Sequence, residues 1–335
     1  MRFEGRNGRR RGRGFDAFSR YVLLHASGGL SEAVLGWRRS AIDGVEVDIA
    51  AARLRAMQKC EVPAPSWRDR REDRMLLEGK TALVYGAGGA VGGAMARAFA
   101  GQGARVILAG RTAAPLEATA REIASAGGQS EVMPVDATDR AAVEAHIAAA
   151  ADRAGPMKVM FNAAGWADSQ GEELTAMSFD RFNDVVAVAL RTWFVTGTAM
   201  ARHMRQHRGG TIVGITANAA RDAYAMVGGF GVACATVEHF LRQLGVENGQ
   251  YGVRVGWVRS AGSPDAPGVR EAWTLRANEQ GITLAEFEKR AGATVPLRHL
   301  PALAEVADAA VLMASDLSRG MTSTFMNVTC GAQTD

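Results

Sequence analysis

The stretch TALVYGAGGAVGGAMARAFAGQG, Thr81 to Gly103, decides how this chain folds. Its opening run, TALVY, is short and mostly apolar, which reads as a strand buried on both faces. GGAMARAFAGQG then reads as a helix, with Gly103 near its end. Between them lies a glycine-rich turn, Gly86-Ala87-Gly88-Gly89-Ala90-Val91-Gly92-Gly93. Glycines at a strand-to-helix turn allow a tight bend, and they let a pyrophosphate approach backbone N–H groups and the positive helix end. Such a loop is a weak signal alone and a strong one between a strand and a helix.

The same alternation continues outward. ARVILAG, SEVMPVD, MKVMFNAAG, GTIVGITA and YGVRVGWV read as further buried strands. LEATAREIASAGG and residues 139–153, 179–207 and 230–247 read as the helices between them, and ADAAVLMASDL and STFMNVT supply a last helix and strand. Apolar strands alternating with helices predict an α/β, Rossmann-like, doubly wound and mostly parallel sheet of seven strands flanked by helices. One domain over 75–335 accounts for the whole pattern.

Upstream, RFEGRNGRRRGRG is too rich in Arg and Gly to bury much, and the prolines Pro63 and Pro65 mark a linker. Residues 1–74 are thus expected to be a basic, poorly ordered leader or upstream translated sequence, with one short helix over 45–59. Glu4 and Asp16 argue against a mitochondrial presequence, because those segments are poor in acids. Residues 1–74 carry 16 Lys and Arg against 10 Asp and Glu, net +6, and the remaining 261 carry 23 against 25, net −2, giving the whole chain +4. The domain itself therefore has no strong electrostatic signal for a nucleic acid. No apolar run reaches membrane-spanning length. Cys60, Cys234 and Cys330 lie far apart, so no metal is expected, and a thiol-bearing cytoplasmic protein is.

The end of the second strand bears on the nucleotide. An acid there would accept hydrogen bonds from the adenosine ribose and repel a 2′-phosphate. The chain instead reads AGRT, with Gly110 and then Arg111, whose forked donors suit a phosphate. NADP(H) is expected over NAD(H), the plainer alternative being a surface arginine at a strand end.

With these pieces in order, residues 78–331 resemble the short-chain dehydrogenase/reductase family. GAGGAVG is similar to its glycine motif, with Ala90 in place of the middle glycine, and the cofactor set implied there is Gly86, Gly88, Gly89, Ala90, Val91 and Gly92. VDATD places Asp136, with Ala137 beside it, where the family uses an acid to shape the adenine pocket. NAAG, the four residues Asn162, Ala163, Ala164 and Gly165, resembles the family's NNAG segment. ASDLSRGMTSTFMNVTCG resembles its closing segment. The resemblance implies a dinucleotide and a small molecule as ligands, and a homodimer or homotetramer built on the helices at 179–204 and 232–245.

The family's reacting groups are a Tyr that protonates the carbonyl, a Lys four residues later, a Ser thirteen residues before the Tyr, and an earlier Asn. Carried onto this chain, those positions hold Phe230, Cys234, Ala217 and Ala189, the last from the less secure alignment. Phe and Ala have no proton to give, and Cys brings neither a fixed cation nor three donors. Losing a general acid costs roughly 10²–10⁴-fold, so ordinary ketone reduction is disfavoured. Candidate substitutes are Asn218, just past the strand end, Tyr224 in the following loop, and Cys234 as a nucleophile. Their plainer readings are a turn residue, a surface Tyr and an apolar filler. Thr216 is a poor stand-in for Ser, since strand alternation sends it to the other face from Ala217. ITANAARDAYAMVGGFGVACATVEHFLRQLGVE is also similar in part to dienoyl reductases, whose Tyr position is altered. Two readings follow: a divergent NADP(H)-linked oxidoreductase acting on an activated C=C bond, or a noncatalytic nucleotide-binding or assembly protein. Phe230 and Trp193 filling the pocket would favour the second. Residues 262–298 form either a substrate lid or a surface excursion.

Overall fold

The computed structural model describes residues 75–166 and 170–334. The expected leader and linker, 1–74, lie outside the described residues.

Seven strands make one parallel sheet: β1 (Thr81–Tyr85), β2 (Arg105–Ala109), β3 (Gln129–Val132), β4 (Met157–Asn162), β5 (Gly210–Ala217), β6 (Val253–Ser260) and β7 (Thr324–Val328). Their order is β3-β2-β1-β4-β5-β6-β7. Eight α-helices are described: α1 (Ala90–Gly101), α2 (Ala113–Ser125), α3 (Arg140–Ala154), α4 (Phe179–Gln206), α5 (Phe230–Asn248), α6 (Pro267–Glu279), α7 (Leu284–Thr294) and α8 (Leu303–Ala314). The doubly wound sheet expected from the alternation is present.

The period-2 geometry of the strands explains how the two faces are covered. Leu83, Ile107, Met160, Ile212, Val255 and Trp257 point to the face built with residues of α3, α4 and α5. Their alternates Val84, Val106, Phe161, Val213 and Val258 point to the face built with α1, α2 and α8. Burying one such large side chain contributes about 1.5–3 kcal/mol. The alternation fails at one edge. SEVMPVD is shorter as a strand than expected, ends at Val132, and is not fully buried, because β3 has only β2 beside it.

The register places the chemistry. Tyr85 aligns with Ala109 on one side and Asn162 on the other, Asn162 with Gly214, and Ala217 with Ser260. The loops after β1, β2, β4, β5 and β6 therefore open at the same sheet edge. The chain leaves β1 first toward β2 and β3, then crosses to β4, so the order reverses between β1 and β4. Open parallel sheets bind ligands at such a reversal.

Arg254 on β6 ties the far end of the sheet together. Its guanidinium donates to the carbonyls of Met313, Ser315, Ser318 and Met321 and to the Thr211 hydroxyl. Those carbonyls include the unsatisfied C-terminal end of α8.

Candidate functional site

The glycine-rich turn is held open by its own geometry. Gly86 has φ +75°, and a Cβ there would lie 2.3 Å from the Ala163 carbonyl oxygen. A Cβ at Gly92 would lie 2.2 Å from the Gly86 carbonyl oxygen, so the first turn of α1 can close onto β1 only with glycine. Gly89 caps α1 without a side-chain hydrogen bond, and Gly88, Gly89 and Ala90 are exposed. Uncapped N–H groups at an accessible helix start suit an anionic group. Val91 is half-buried behind them.

The neighbouring strand ends complete this rim. Arg111 is exposed just after β2. Asp136 accepts from the Thr138 N–H at 2.9 Å and its hydroxyl at 2.8 Å, with Ala137 buried beside it. These hydrogen bonds, with help from the charges of Arg111 and Arg191, hold the Asp136 carboxyl below the usual carboxylate range. Asn162 is buried at the end of β4, donates to Thr196 Oγ1 at 2.9 Å, and accepts from the Ala164 N–H at 2.9 Å. This pins the Ala163–Gly165 turn to α4. Thr196 in this role gave no signal in the sequence, because it lies 34 positions away.

The opposite wall is formed by the β5 end and α5. A short turn, Asn218–Ala220, follows β5, and a Cβ at Gly231 would lie 2.8 Å from the Ala219 carbonyl oxygen. The first turn of α5 is thus pressed against that turn, which places Ala217, Asn218 and Phe230 together. Asn218 is buried and its Nδ2 donates to the Tyr224 hydroxyl at 2.6 Å. Arg276 of α6 stands 5.3 Å over the Tyr224 ring. Burial, then the Asp222 charge, raises the Tyr224 pKa, so the phenol keeps its proton at neutral pH. Phe230 packs on Trp166, the residue after Gly165, with ring centroids 5.9 Å apart. Cys234 and Ala189 are fully buried. Trp193 does not fill the pocket with Phe230: it is a core residue under Gly214, where a Cβ would lie 3.1 Å from its ring.

Thr216, facing away from Ala217 as strand alternation requires, donates to Glu238 of α5 at 2.8 Å. Glu238 pairs with Arg259 of β6 through two hydrogen bonds, 2.9 and 2.5 Å, with both side chains at 4% exposure or less. Arg259 also donates to Gln333, which donates to the Asn218 carbonyl at 2.8 Å. A buried polar relay of contacts thus runs from α5 through the last residues of the chain to Asn218. Gln333 lies 115 positions from Asn218, and no local pattern could reveal it.

A second polar cluster joins the segment before α8 to the loop after β7. The ligand atoms of His299, Glu305 and Cys330 all lie within 4.8 Å of one another, the one such His/Cys/acid cluster among the described residues. Also among the described residues, no helix is long and apolar enough to cross a membrane.

The sheet order, the glycine turn and the NAAG loop define a dinucleotide-fold oxidoreductase relative. The chain belongs to the short-chain dehydrogenase/reductase superfamily: the family described as enoyl-(acyl carrier protein) reductase matches residues 86–333. It is 31% identical over 266 residues to an L-rhamnose 1-dehydrogenase (NAD(P)(+)) of Azotobacter vinelandii, covering 77% of this chain and 98% of that one. It is 30% identical over 261 residues to the monensin polyketide synthase putative ketoacyl reductase of Streptomyces virginiae, covering 75% and 96%. A solved putative short-chain dehydrogenase/reductase from Burkholderia xenovorans superposes with a TM-score of 0.69 at 30% identity, covering 77% and 99%.

Proposed function

We propose that this chain is a divergent NADP(H)-linked oxidoreductase that delivers hydride to an activated C=C bond. The observation that carries the reading is the Asn218–Tyr224 hydrogen bond, 2.6 Å, standing beside family positions filled by Ala217, Phe230 and Cys234. A ketone gaining hydride develops a localised oxyanion that needs an immediate acid or strong donors. A conjugated enoyl thioester spreads the same charge into an enolate, whose α-carbon can then take a proton from water or from Tyr224. Asn218 and Tyr224 are the polarising pair for that enolate oxygen. The matched family's description as an enoyl reductase supports this substrate class.

The cofactor would lie with its pyrophosphate at Gly86–Gly92, its adenine against Asp136 and Ala137, and its nicotinamide toward Asn162–Gly165. Arg111, exposed after a strand end that lacks an acid, supports a 2′-phosphate and hence NADP(H). Residues 262–298, which include α6 and α7, serve in this reading as a lid, with Arg276 over Tyr224 joining lid to site.

One contact favours a noncatalytic nucleotide-binding or assembly protein instead. Trp166 covers Phe230, the position of the family's acid, with an aromatic wall.

An NADPH-oxidation screen pairing ketones with conjugated enoyl thioesters separates these readings. Enoyl turnover that falls in Tyr224→Phe is the expected result. Robust ketone reduction would defeat the proposal, and silence on both substrate sets with clear NADPH binding would favour the noncatalytic alternative.

A further inference from the structure

We propose that His299 Nδ1, a Glu305 carboxylate oxygen and Cys330 Sγ form a binding site for a zinc-class divalent cation that clamps the C-terminal tail to the segment before α8. The cysteine spacing gives no hint of it, because Cys330 joins a His299–Glu305 pair 25 or more positions upstream. Geometry supplies the argument. His299 Nδ1 lies 3.8 Å from Cys330 Sγ and 4.0 Å from Glu305 Oε2. Zinc bonds of about 2.0–2.3 Å to N, O and S place tetrahedral ligand atoms roughly 3.3–3.8 Å apart. All three ligand atoms lie within 4.8 Å of one another, so the His299–Cys330 pair is already near that spacing and the Glu305 carboxylate has to swing inward by up to roughly 1 Å. Glu305 and His299 are both exposed enough to make that rotation.

Two backbone conformations support a built arrangement. Arg298, just before His299, has φ +62°, and Cys330 itself has φ +53°. Non-glycine residues in this left-handed region are uncommon and cost energy. Here they bring an imidazole and a buried thiol face to face. The Leu297 N–H donates to the Cys330 carbonyl at 3.2 Å and fixes the two segments beside each other.

The donor set selects the ion. A thiolate with an imidazole favours zinc or a similar borderline-soft metal over magnesium or calcium. The Ala302 N–H donates to Glu305 Oε2 at 2.8 Å, orienting the carboxylate as outer-shell partners do at metal sites. His299 Nδ1 now lies 3.2 Å from the Leu300 carbonyl. Coordination would shift the ring proton to Nε2 and displace the thiol proton. Three protein ligands leave a fourth position for water. Gln333, which holds the Asn218 carbonyl, follows Cys330 by three residues, so the ion would stiffen the tail that braces the Asn218–Tyr224 pair.

Cobalt is the probe. The full chain is stripped with a chelator, kept reduced with a phosphine, and titrated with Co²⁺. The expected result is one equivalent bound, a sulfur-to-cobalt charge-transfer band, and the intense visible bands of a tetrahedral ion, all displaced by Zn²⁺. Cys330→Ser should abolish the charge-transfer band. His299→Ala, which alters a half-exposed side chain and leaves the core intact, should weaken binding by more than about tenfold. Glu305→Gln should also weaken it while keeping an oxygen for the Ala302 N–H. Absence of the band at saturating Co²⁺, or its persistence in Cys330→Ser, overturns the proposal. So does unchanged affinity in folded His299→Ala, with folding checked by thermal unfolding.

Discussion

Replacing Arg259 with Met tests whether the buried pair behind the site is energetically coupled to the fold. The change removes both hydrogen bonds to Glu238, the bond to Gln333 and a guanidinium 3.9 Å over the Phe325 ring. Glu238 keeps the Thr216 hydroxyl at 2.8 Å and a longer contact to Arg242 at 3.4 Å. Its carboxylate is then buried with too little compensation. Removing one member of a buried ion pair costs about 3–5 kcal/mol. For a domain of this size each kcal/mol moves Tm by roughly 2–4 °C, so thermal unfolding should fall by roughly 6–20 °C. Glu122→Ala serves as the comparator, since the Arg97–Glu122 pair is exposed at 43% and 58% and is worth at most about 1 kcal/mol. The double replacement Glu238→Leu with Arg259→Met should recover much of the loss, because two apolar groups leave no uncompensated charge. An Arg259→Met loss no larger than that of Glu122→Ala would refute the reasoning.

Arg111→Ala should weaken NADPH by a few kcal/mol at most while leaving NADH unchanged; equal loss for both in calorimetric titration would remove the phosphate from its role. Burial, His207 and Lys158 push the His203 pKa from 6.5 down to about 4, and its Nε2 accepts the Met157 N–H at 3.1 Å. The unfolded chain therefore binds a proton that the folded chain refuses, and stability should fall as pH drops from about 6.5 toward about 4. His203→Gln should flatten that part of a urea-unfolding profile, and an unchanged slope would contradict the assignment. Leu190 and Phe194 of α4 and Val232 of α5 are exposed, and Leu190, Thr236, His239 and Phe240 line a shallow hollow between these helices. Light scattering at micromolar concentration should therefore show a dimer or tetramer, and a monomer would overturn that expectation.

The architecture was legible because its signals are local. TALVY, the glycine turn and the following helix declare themselves within 23 residues, and the later strands, the edge strand β3 apart, repeat the apolar run. The expectation that Ala217, Phe230 and Cys234 stand where the family keeps its reacting groups is local in the same way, since it rests on fixed spacing along one segment. The groups that brace the site were not. Thr196, Gln333 and the Glu238–Arg259 pair meet their partners only through the sheet crossing, and the His299–Glu305–Cys330 cluster depends on two left-handed residues that no composition announces. Trp166 and Trp193 show the limit most plainly. Both are aromatic residues near family landmarks, and only the helix rotation of α4 and the loop path after β4 decide which one meets Phe230.

The Arg254 guanidinium has a kinetic consequence. Four of its acceptors, Met313, Ser315, Ser318 and Met321, lie 59 to 67 positions downstream, beyond α6, α7 and most of α8. These four contacts can form only after that long segment has closed back on β6, which makes them late events in assembly. Interactions absent from the transition state govern how fast the native chain opens, with little influence on how fast it forms. Arg254→Lys, which keeps the charge but loses the planar fork, should therefore accelerate unfolding and leave the refolding limb of the chevron almost unmoved. With that outcome, the guanidinium is a latch on the β6 side of the sheet, and its loss shortens the native chain's lifetime.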